Sequence, residues 1–345
     1  MGPGQLDNAG KVIRKLSDRC LVVTNKKIHG LYGKTLEESL KKNGVNYKIV
    51  RLPDGEKNKN LVSVGKIHDK LISERFDRDA VVAGFGGGII GDMAGFAAAT
   101  YMRGCQLVQI PTTLLAQVDS SVGGKTGVNH RMGKNLIGAF YQPSAVLADI
   151  QTLKSLPVPE TLCGVAEVIK YGLIASNRLF CWLEGNIKGL IDLKGPQTIH
   201  AVSASCRIKA SVVSEDEKEA NKRAILNFGH TTGHAIEAVT EYNKHRHGYA
   251  VAMGMSVALE LSRMKEGLTD KAVSRAKDLI AYSGLPTAIP KKISELDLIK
   301  AMRYDKKVRS GLIRFALLEG IGKCTINTKV TTRDIKEALR LSKCD

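Results

Sequence analysis

Four short runs rich in β-forming residues, CLVVTN (20–25), YKIVRL (47–52), DAVVAGF (79–85) and CQLVQIPTT (105–113), recur through the first third of the chain. Helix-like stretches around 31–43, 58–75 and 90–102 lie between them. Strands separated by helices are joined by crossovers, which return the chain to the same end of a sheet and set neighbours parallel. The alternation predicts an α/β domain with a mainly parallel, Rossmann-like sheet. A turn-rich segment with two prolines, KSLPVPE (154–160), marks its end. Beyond it the signals turn helical, at 160–176, 197–213, 230–241, 248–266 and 269–283. LIRFALLEG and GKCTINTKV then suggest a small hairpin before a last helix at 332–342. The expectation is an α/β domain over 1–158 and a mainly α-helical domain over 159–345.

Composition narrows the partners. The net charge of +18 fits a nucleic acid, an anionic membrane or a small anionic substrate. The basic residues come as scattered doublets, Lys26-Lys27, Lys41-Lys42, Lys291-Lys292 and Lys306-Lys307, without one long run. Aromatic residues are only 5% of the chain, too few for the stacking platform that single-stranded nucleic acid needs. No apolar run is long enough to span a bilayer. The chain therefore reads as having no nucleic-acid and no membrane partner; most of its charge reads as solvated surface, with which a phosphorylated small molecule is compatible. The opening MGPGQLDNAGK has no apolar signal core and predicts a cytoplasmic protein. The seven cysteines form no CxxC pair and read as reduced structural thiols.

GFGGGIIGD (84–92) follows a strand and opens a helix, with G-x-G-x-x-G as Gly86, Gly88 and Gly91. Such glycines let backbone approach a pyrophosphate at a helix N-terminus, although a tight turn needs glycines too. The acidic residue expected about 20 positions later is missing, because CQLVQIPTT stands there. GGKT (123–126) is not a Walker A loop, since Asp119 occupies the place of its first glycine. What remains is a polar set in a loop-rich stretch: Asp119, Lys125, Lys134 and Asn135.

The second half concentrates imidazoles. NFGHTTGHAIE (227–237) sets His230 and His234 one helical turn apart, with Thr231 where a zincin would carry its glutamate. AEVIKYG (166–172) sets Glu167 and Lys170 on one helix face. Lys209, Arg223, Asn227, His245 and His247 complete a cationic and ligating set. One carboxylate and two or three imidazoles suit Zn²⁺ with an open position. Spacing does not choose the ligands among Glu167, His230, His234, His245 and His247.

Taken together, GGGIIGDMAGFAAATYMRG, IPTTLLAQVDSSVGGKTGVNHRMGKNLIGAFYQP, AEVIKYG, LNFGHTTGHAIEA and HGYAVAMGM resemble the 3-dehydroquinate synthases, in the expected order and over roughly 50 to 320. The resemblance implies a homodimeric lyase of the shikimate pathway. It would use NAD and a divalent metal, zinc or cobalt, to convert 3-deoxy-D-arabino-heptulosonate 7-phosphate to 3-dehydroquinate and phosphate. By the same resemblance NAD would contact Asp54, Gly55, Glu56, Lys57 and Lys59, then Gly88, Ile89, Ile90, Gly91 and Asp92. Thr112, Thr113, Lys125, Lys134, Thr152, Leu153, Lys154 and Ser155 would add to the cofactor site. The metal would sit on Glu167, His230 and His247. Asp119, Lys125, Asn135, Lys170, Lys209, Arg223, Asn227 and His234 would surround the substrate. Arg103, from a neighbouring subunit, and Lys306 would hold its phosphate. The family often has glutamate after His-Gly, where this chain has Tyr249. Lys209 is expected to be exposed, so that its loss would affect ligand binding and not folding.

Overall fold

The structure is a computed structural model and describes residues 1–217, 222–241, 245–303 and 313–344. It divides into two compact units, Met1–Pro157 with Thr198–Cys206, and Val158–Gln197 with Arg207–Asp345.

The first unit runs α1 (Ala9–Leu16), β1 (Arg19–Asn25), α2 (Lys26–Lys42), β2 (Asn46–Leu52), α3 (Leu61–Ser73), β3 (Val81–Gly86), α4 (Gly88–Thr100), β4 (Gln106–Pro111), β5 (Lys125–His130), β6 (Gly133–Phe140) and β7 (Ala145–Val146). Five strands form one sheet in the order β2-β1-β3-β4-β7, with every pair parallel. Side chains alternate across a strand, so Leu21, Val23, Val82 and Leu107 face one core with α3 and α4. Cys20, Val22, Val81 and Val108 face the opposite core with α1 and α2. Burial on both faces is what makes these strands continuous apolar runs.

The stretch expected as loop around Asp119–Asn135 is different. β5 and β6 pair there as an antiparallel ribbon, with Lys125 opposite Phe140 and Gly127 opposite Gly138. Glycines and polar residues in KTGVNH and GKNLIGAF hide the apolar alternation that marks a half-buried strand.

The second unit holds α5 (Val158–Ala175), α6 (Asn177–Ile191), most of α7 (Gly195–Glu215), α8 (His230–Val239), α9 (His247–Glu266), α10 (Asp270–Tyr282), α11 (Glu295–Arg303), the β8 (Phe315–Gly320)–β9 (Lys323–Asn327) hairpin and α12 (Thr332–Leu341). Its core joins Ile236 of α8, Met253 and Val257 of α9, Leu298 of α11, Leu317 of β8 and Leu339 of α12. α6 and α11 answer to no predicted element, although Leu179, Phe180, Leu183, Ile187 and Leu190 of α6 and Leu298, Ile299 and Met302 of α11 keep helical spacing. No helix among the described residues is long and apolar enough to cross a membrane.

Candidate active site

In the first unit the predicted residues gather at the carboxyl ends of the parallel strands, where open α/β sheets take their ligands. Asp54–Lys59 follow β2, Gly88–Asp92 follow β3, and Thr112 and Thr113 follow β4. Asn25 at the end of β1 caps α2 by accepting from Ile28 N (2.8 Å) and donates to Asp54 Oδ1 (3.3 Å), which ties two of these loops together. Thr112 N donates to Gly86 O at 2.9 Å and ties two more.

Lys59 is the buried centre of this region. Its ammonium donates to Asp92 Oδ2 (2.5 Å) and to Asn135 Oδ1 (2.6 Å). Asn129 of β5 extends the network: its Oδ1 accepts from Asn135 N (2.9 Å) and its Nδ2 donates to Glu56 Oε1 (2.7 Å). Asn135 holds a left-handed φ of 52°, a conformation asparagine tolerates better than most residues. Two hydrogen bonds thus fix a residue in an uncommon backbone state, the pattern of a site residue.

None of Gly86, Gly88 or Gly91 has a positive φ, so the turn itself does not demand glycine. A Cβ on them would instead lie 2.9 Å from Ile90, 2.9 Å from Ser120 Oγ and 2.7 Å from Gln109 Oε1 respectively. These glycines therefore serve close packing of the turn against its neighbours. Ile90 belongs to the core, Ile89 packs against it and Gly91 N donates to Gly87 O (3.1 Å), so the N–H groups the helix leaves over are those of its first turn, 88–90.

Thr152 and Ser155 meet Tyr32, whose hydroxyl lies 2.9 Å from Thr152 O and 2.7 Å from Ser155 Oγ. A cavity of about 440 Å³ opens beside them, lined also by Asp149 and Lys154. Leu153 is buried and does not line it. Lys57 is exposed, and Gly55 holds a φ of 96°. Asp119 lies in a single π-helical turn, Ala116–Ser120, Lys125 opens β5, and Lys134 stands beside Asn135 on β6. Arg103 is exposed in a turn where Met102 (φ 46°), Arg103 (68°) and Gly104 (124°) all take left-handed backbone.

The second unit builds its cluster from side chains. α5 is buried along almost its whole length and holds Glu167 fully inside. Glu167 Oε2 pairs with the Lys170 ammonium, itself buried. Oε1 accepts no hydrogen bond. Facing it instead are His230 Nε2 at 3.5 Å and His247 Nε2 at 3.7 Å. His230 Nδ1 sits 3.1 Å from the Phe228 carbonyl, which can only accept. The proton is thus assigned to Nδ1, and Nε2 turns a lone pair toward Glu167. A lone pair facing a carboxylate oxygen has nothing to share without a cation between them. The donor set Glu167, His230 and His247 therefore fits a divalent metal.

Two helix crossings set this geometry. A Cβ on Gly248 would overlap the backbone of Cys163, so α9 starts in direct contact with α5. A Cβ on Gly254 would overlap the Gly229 carbonyl, so α9 crosses the start of α8 equally closely. Gly229 also needs its left-handed φ of 76° to turn the chain into α8.

His234 is half-buried, its ring centroid 5.4 Å from that of His230 and 6.1 Å from that of His247. A second ligating group, His234, Glu237 and His247, overlaps the first through His247. Arg223 and Asn227 stand on a 3-10 turn, Lys222–Asn227, and Arg223 donates to Glu217 O at 2.6 Å. Lys209 is buried, contrary to the exposure expected of it. Lys306 lies outside the described residues. His245 is half-buried and belongs to neither ligating group.

Burial pushes the Cys163 thiol up to about 11, and Cys163 belongs to neither ligating group. Burial also raises the Tyr249 hydroxyl above its ordinary value, with Cys163 adding to it. The residue after His-Gly thus carries no negative charge. Sequence reasoning missed Asn129, Tyr32 and Glu237. Glu237, three residues after His234 on the same helix, was the one with a visible spacing signal.

Residues 49–163 match the family described as 3-dehydroquinate synthase N-terminal, and residues 164–308 match 3-dehydroquinate synthase C-terminal. The chain is 47% identical over 339 residues to the 3-dehydroquinate synthase of Bordetella pertussis, covering 98% of this chain and 94% of that one. Its fold is similar to 2-epi-5-epi-valiolone synthase from Streptomyces hygroscopicus with NAD⁺ and Zn²⁺ bound (TM-score 0.91, 28% identity, 98% of this chain and 94% of that one). It is equally similar to 2-deoxy-scyllo-inosose synthase complexed with carbaglucose-6-phosphate, NAD⁺ and Co²⁺ (TM-score 0.90, 29% identity, 99% and 95%).

Proposed function

The chain belongs to the 3-dehydroquinate synthase family, and from that premise we propose how its residues serve the reaction. The enzyme is a lyase that converts 3-deoxy-D-arabino-heptulosonate 7-phosphate to 3-dehydroquinate and phosphate, using NAD and a divalent metal. The observation that carries the assignment of roles is the Glu167 group, a buried carboxylate oxygen without a hydrogen bond facing two imidazole nitrogens.

Bound NAD⁺ would supply reversible hydride transfer at a ring carbinol, and a bound metal would supply Lewis acidity there. Glu167, His230 and His247 would hold the metal. Asp54, Glu56 and Lys57, the helix start at Gly88–Gly91, Thr112, Thr113, Lys134 and the Thr152–Ser155 stretch would hold the dinucleotide. Lys59 serves that site through Asp92 and Asn135, to which its ammonium is already bonded.

For phosphate to depart, a proton must leave the neighbouring C–H. His234 is the imidazole placed to relay it. Lys209 and Arg223 are buried cations, and low dielectric strengthens their attraction for substrate carboxylate and phosphate, while Lys170 reaches the substrate from its pair with Glu167. Asp119, Lys125, Asn135 and Asn227 position the hydroxyl groups. Arg103 and Lys306 take the phosphate, Arg103 by reaching the neighbouring subunit of a homodimer. The three consecutive left-handed residues at 102–104 support that role, since such strain collects at functional sites. Exposed Met102, Met132, Leu136 and Phe140 give the same part of the first unit an apolar surface to bury in a dimer. The compartment we assign is the cytoplasm.

Phosphate release measured with the heptulosonate phosphate and a trace of NAD⁺ tests this reading. Phosphate should exceed the NAD⁺ supplied many times over. NADH accumulating in step with product would mark a polyol dehydrogenase instead.

A further inference from the structure

His247 turns its two ring nitrogens toward two different carboxylates. Nε2 lies 3.7 Å from Glu167 Oε1, and Nδ1 lies 3.5 Å from Glu237 Oε2. Glu237 is buried on α8, one turn beyond His234. A neutral imidazole carries one proton, so whichever nitrogen holds it leaves a lone pair on the other.

His230 shows the pattern with a different acceptor. Its Nδ1 meets the Phe228 carbonyl and its Nε2 faces the same Glu167 oxygen. Both histidines therefore direct Nε2 to Glu167 Oε1 and back Nδ1 with an acceptor, a carbonyl in one case and a carboxylate in the other. A carboxylate is the stronger acceptor of the two. Behind a metal-ligating histidine it fixes the tautomer and the ring orientation and makes the ligating nitrogen more basic.

We infer that Glu237 is a positioning residue for the metal, acting through His247 Nδ1 without touching the ion. The inference rests on the ligand set proposed above. Glu237, His234 and His247 could alternatively hold a cation themselves. That arrangement would bind a cation through His247 Nδ1 and turn the Nε2 proton toward Glu167 Oε1, but it would leave the His230 Nε2 lone pair facing the same buried oxygen with no cation between them. Burying two electron-rich atoms against each other is the costlier outcome, which favours the supporting role for Glu237.

The test is zinc affinity of the purified full chain, read by competition with a chromogenic chelator. Glu237→Gln should still take one zinc per chain at saturation, with about 10- to 100-fold weaker affinity. Glu237→Asp keeps the charge and withdraws it by one methylene, so it should fall between wild type and Glu237→Gln. It also reads the same effect if the glutamine variant fails to fold. With Co²⁺ in place of zinc, the visible absorption bands of Glu237→Gln should keep their positions, since no ligand is lost. Unchanged zinc affinity in Glu237→Gln would overturn the inference. So would a loss of zinc as complete as that of His247→Ala, which would make Glu237 a ligand. Glu167→Gln separates the two levels: wild-type zinc affinity there would sink the ligand set itself, whereas a metal-poor Glu167→Gln beside an unaffected Glu237→Gln would sink this inference alone.

Discussion

In the first unit, the glycines of the loop after β3 approach side chains: Ile90, Ser120 and Gln109. In the second unit, Gly248 and Gly254 approach backbone, at Cys163 and at Gly229. The first set lets a turn pack under side chains, which can shift, at the strand ends where the dinucleotide candidates gather. The second set meets rigid backbone. Its glycines bring helices so close that side chains from α5, α8 and α9 converge on one point. One set of glycines packs against side chains and the other against backbone, and the two should fail differently when altered.

The largest effect is expected at the buried pair in the second unit. Lys170→Met leaves Glu167 an uncompensated buried anion, a change that costs roughly 3–5 kcal/mol. Because the lost charge is positive, zinc should replace part of it. Thermal unfolding of the variant should therefore respond to added zinc more than wild type does. An equal response in the two proteins would place the metal away from Glu167.

Gly254→Ala should come next. Its Cβ would meet the Gly229 carbonyl and lie 2.8 Å from Gly233 N, and neither can turn aside as a side chain would. Overpacking of this kind costs about 1–3 kcal/mol, and the rigid neighbours put it at the upper end. Zinc affinity should fall with stability. Gly91→Ala is the counterpart in the first unit, where the clash is with the amide of Gln109. It should cost about 1 kcal/mol of stability at the lower end of the same range, while weakening NAD binding by a larger factor. NAD titration beside thermal unfolding reads the difference. Equal loss of stability in both variants, with NAD affinity intact in Gly91→Ala, would erase the contrast between the units.

The smallest effect lies far from either cluster, at the capping box of α12. Thr331→Ala removes a side-chain acceptor from Asp334 N (3.2 Å) and should cost about 1 kcal/mol with no change in metal binding. Hydrogen bonding from the Thr331 backbone, then from Lys265, holds the Asp334 carboxyl below its ordinary value. A depressed folded-state value means the contribution is present above about pH 4, the unfolded value, and is lost as pH falls through the folded one. The stability difference between wild type and Asp334→Asn should accordingly shrink in acid.

The same contrast explains what the sequence could reveal. The parallel sheet was legible because its strands are buried on both faces and read as apolar runs. The glycine loop was legible because its close packing depends on missing side chains, which leave a mark in the sequence. The β5–β6 ribbon was not, since Gly127 and Gly138 pair across it where apolar residues would have shown a strand. In the helical unit the spacing from His230 to His234 was visible, yet the metal-facing partner of His230 comes from another helix. Position in sequence does not encode where α9 crosses α8. Only the resemblance to a family singled out His247. Lys209 misled for a related reason: a lone lysine in a helix reads as solvated until the packing around it is known.

Metal content of three purified variants bears most directly on the side-chain site. His230→Ala and His247→Ala should each lose most bound zinc, because each removes a nitrogen that faces Glu167 Oε1. His234→Ala should keep close to one zinc per chain while losing most activity. A metal-free His234→Ala beside a metal-replete His230→Ala would contradict the account and move the ion to His234, Glu237 and His247.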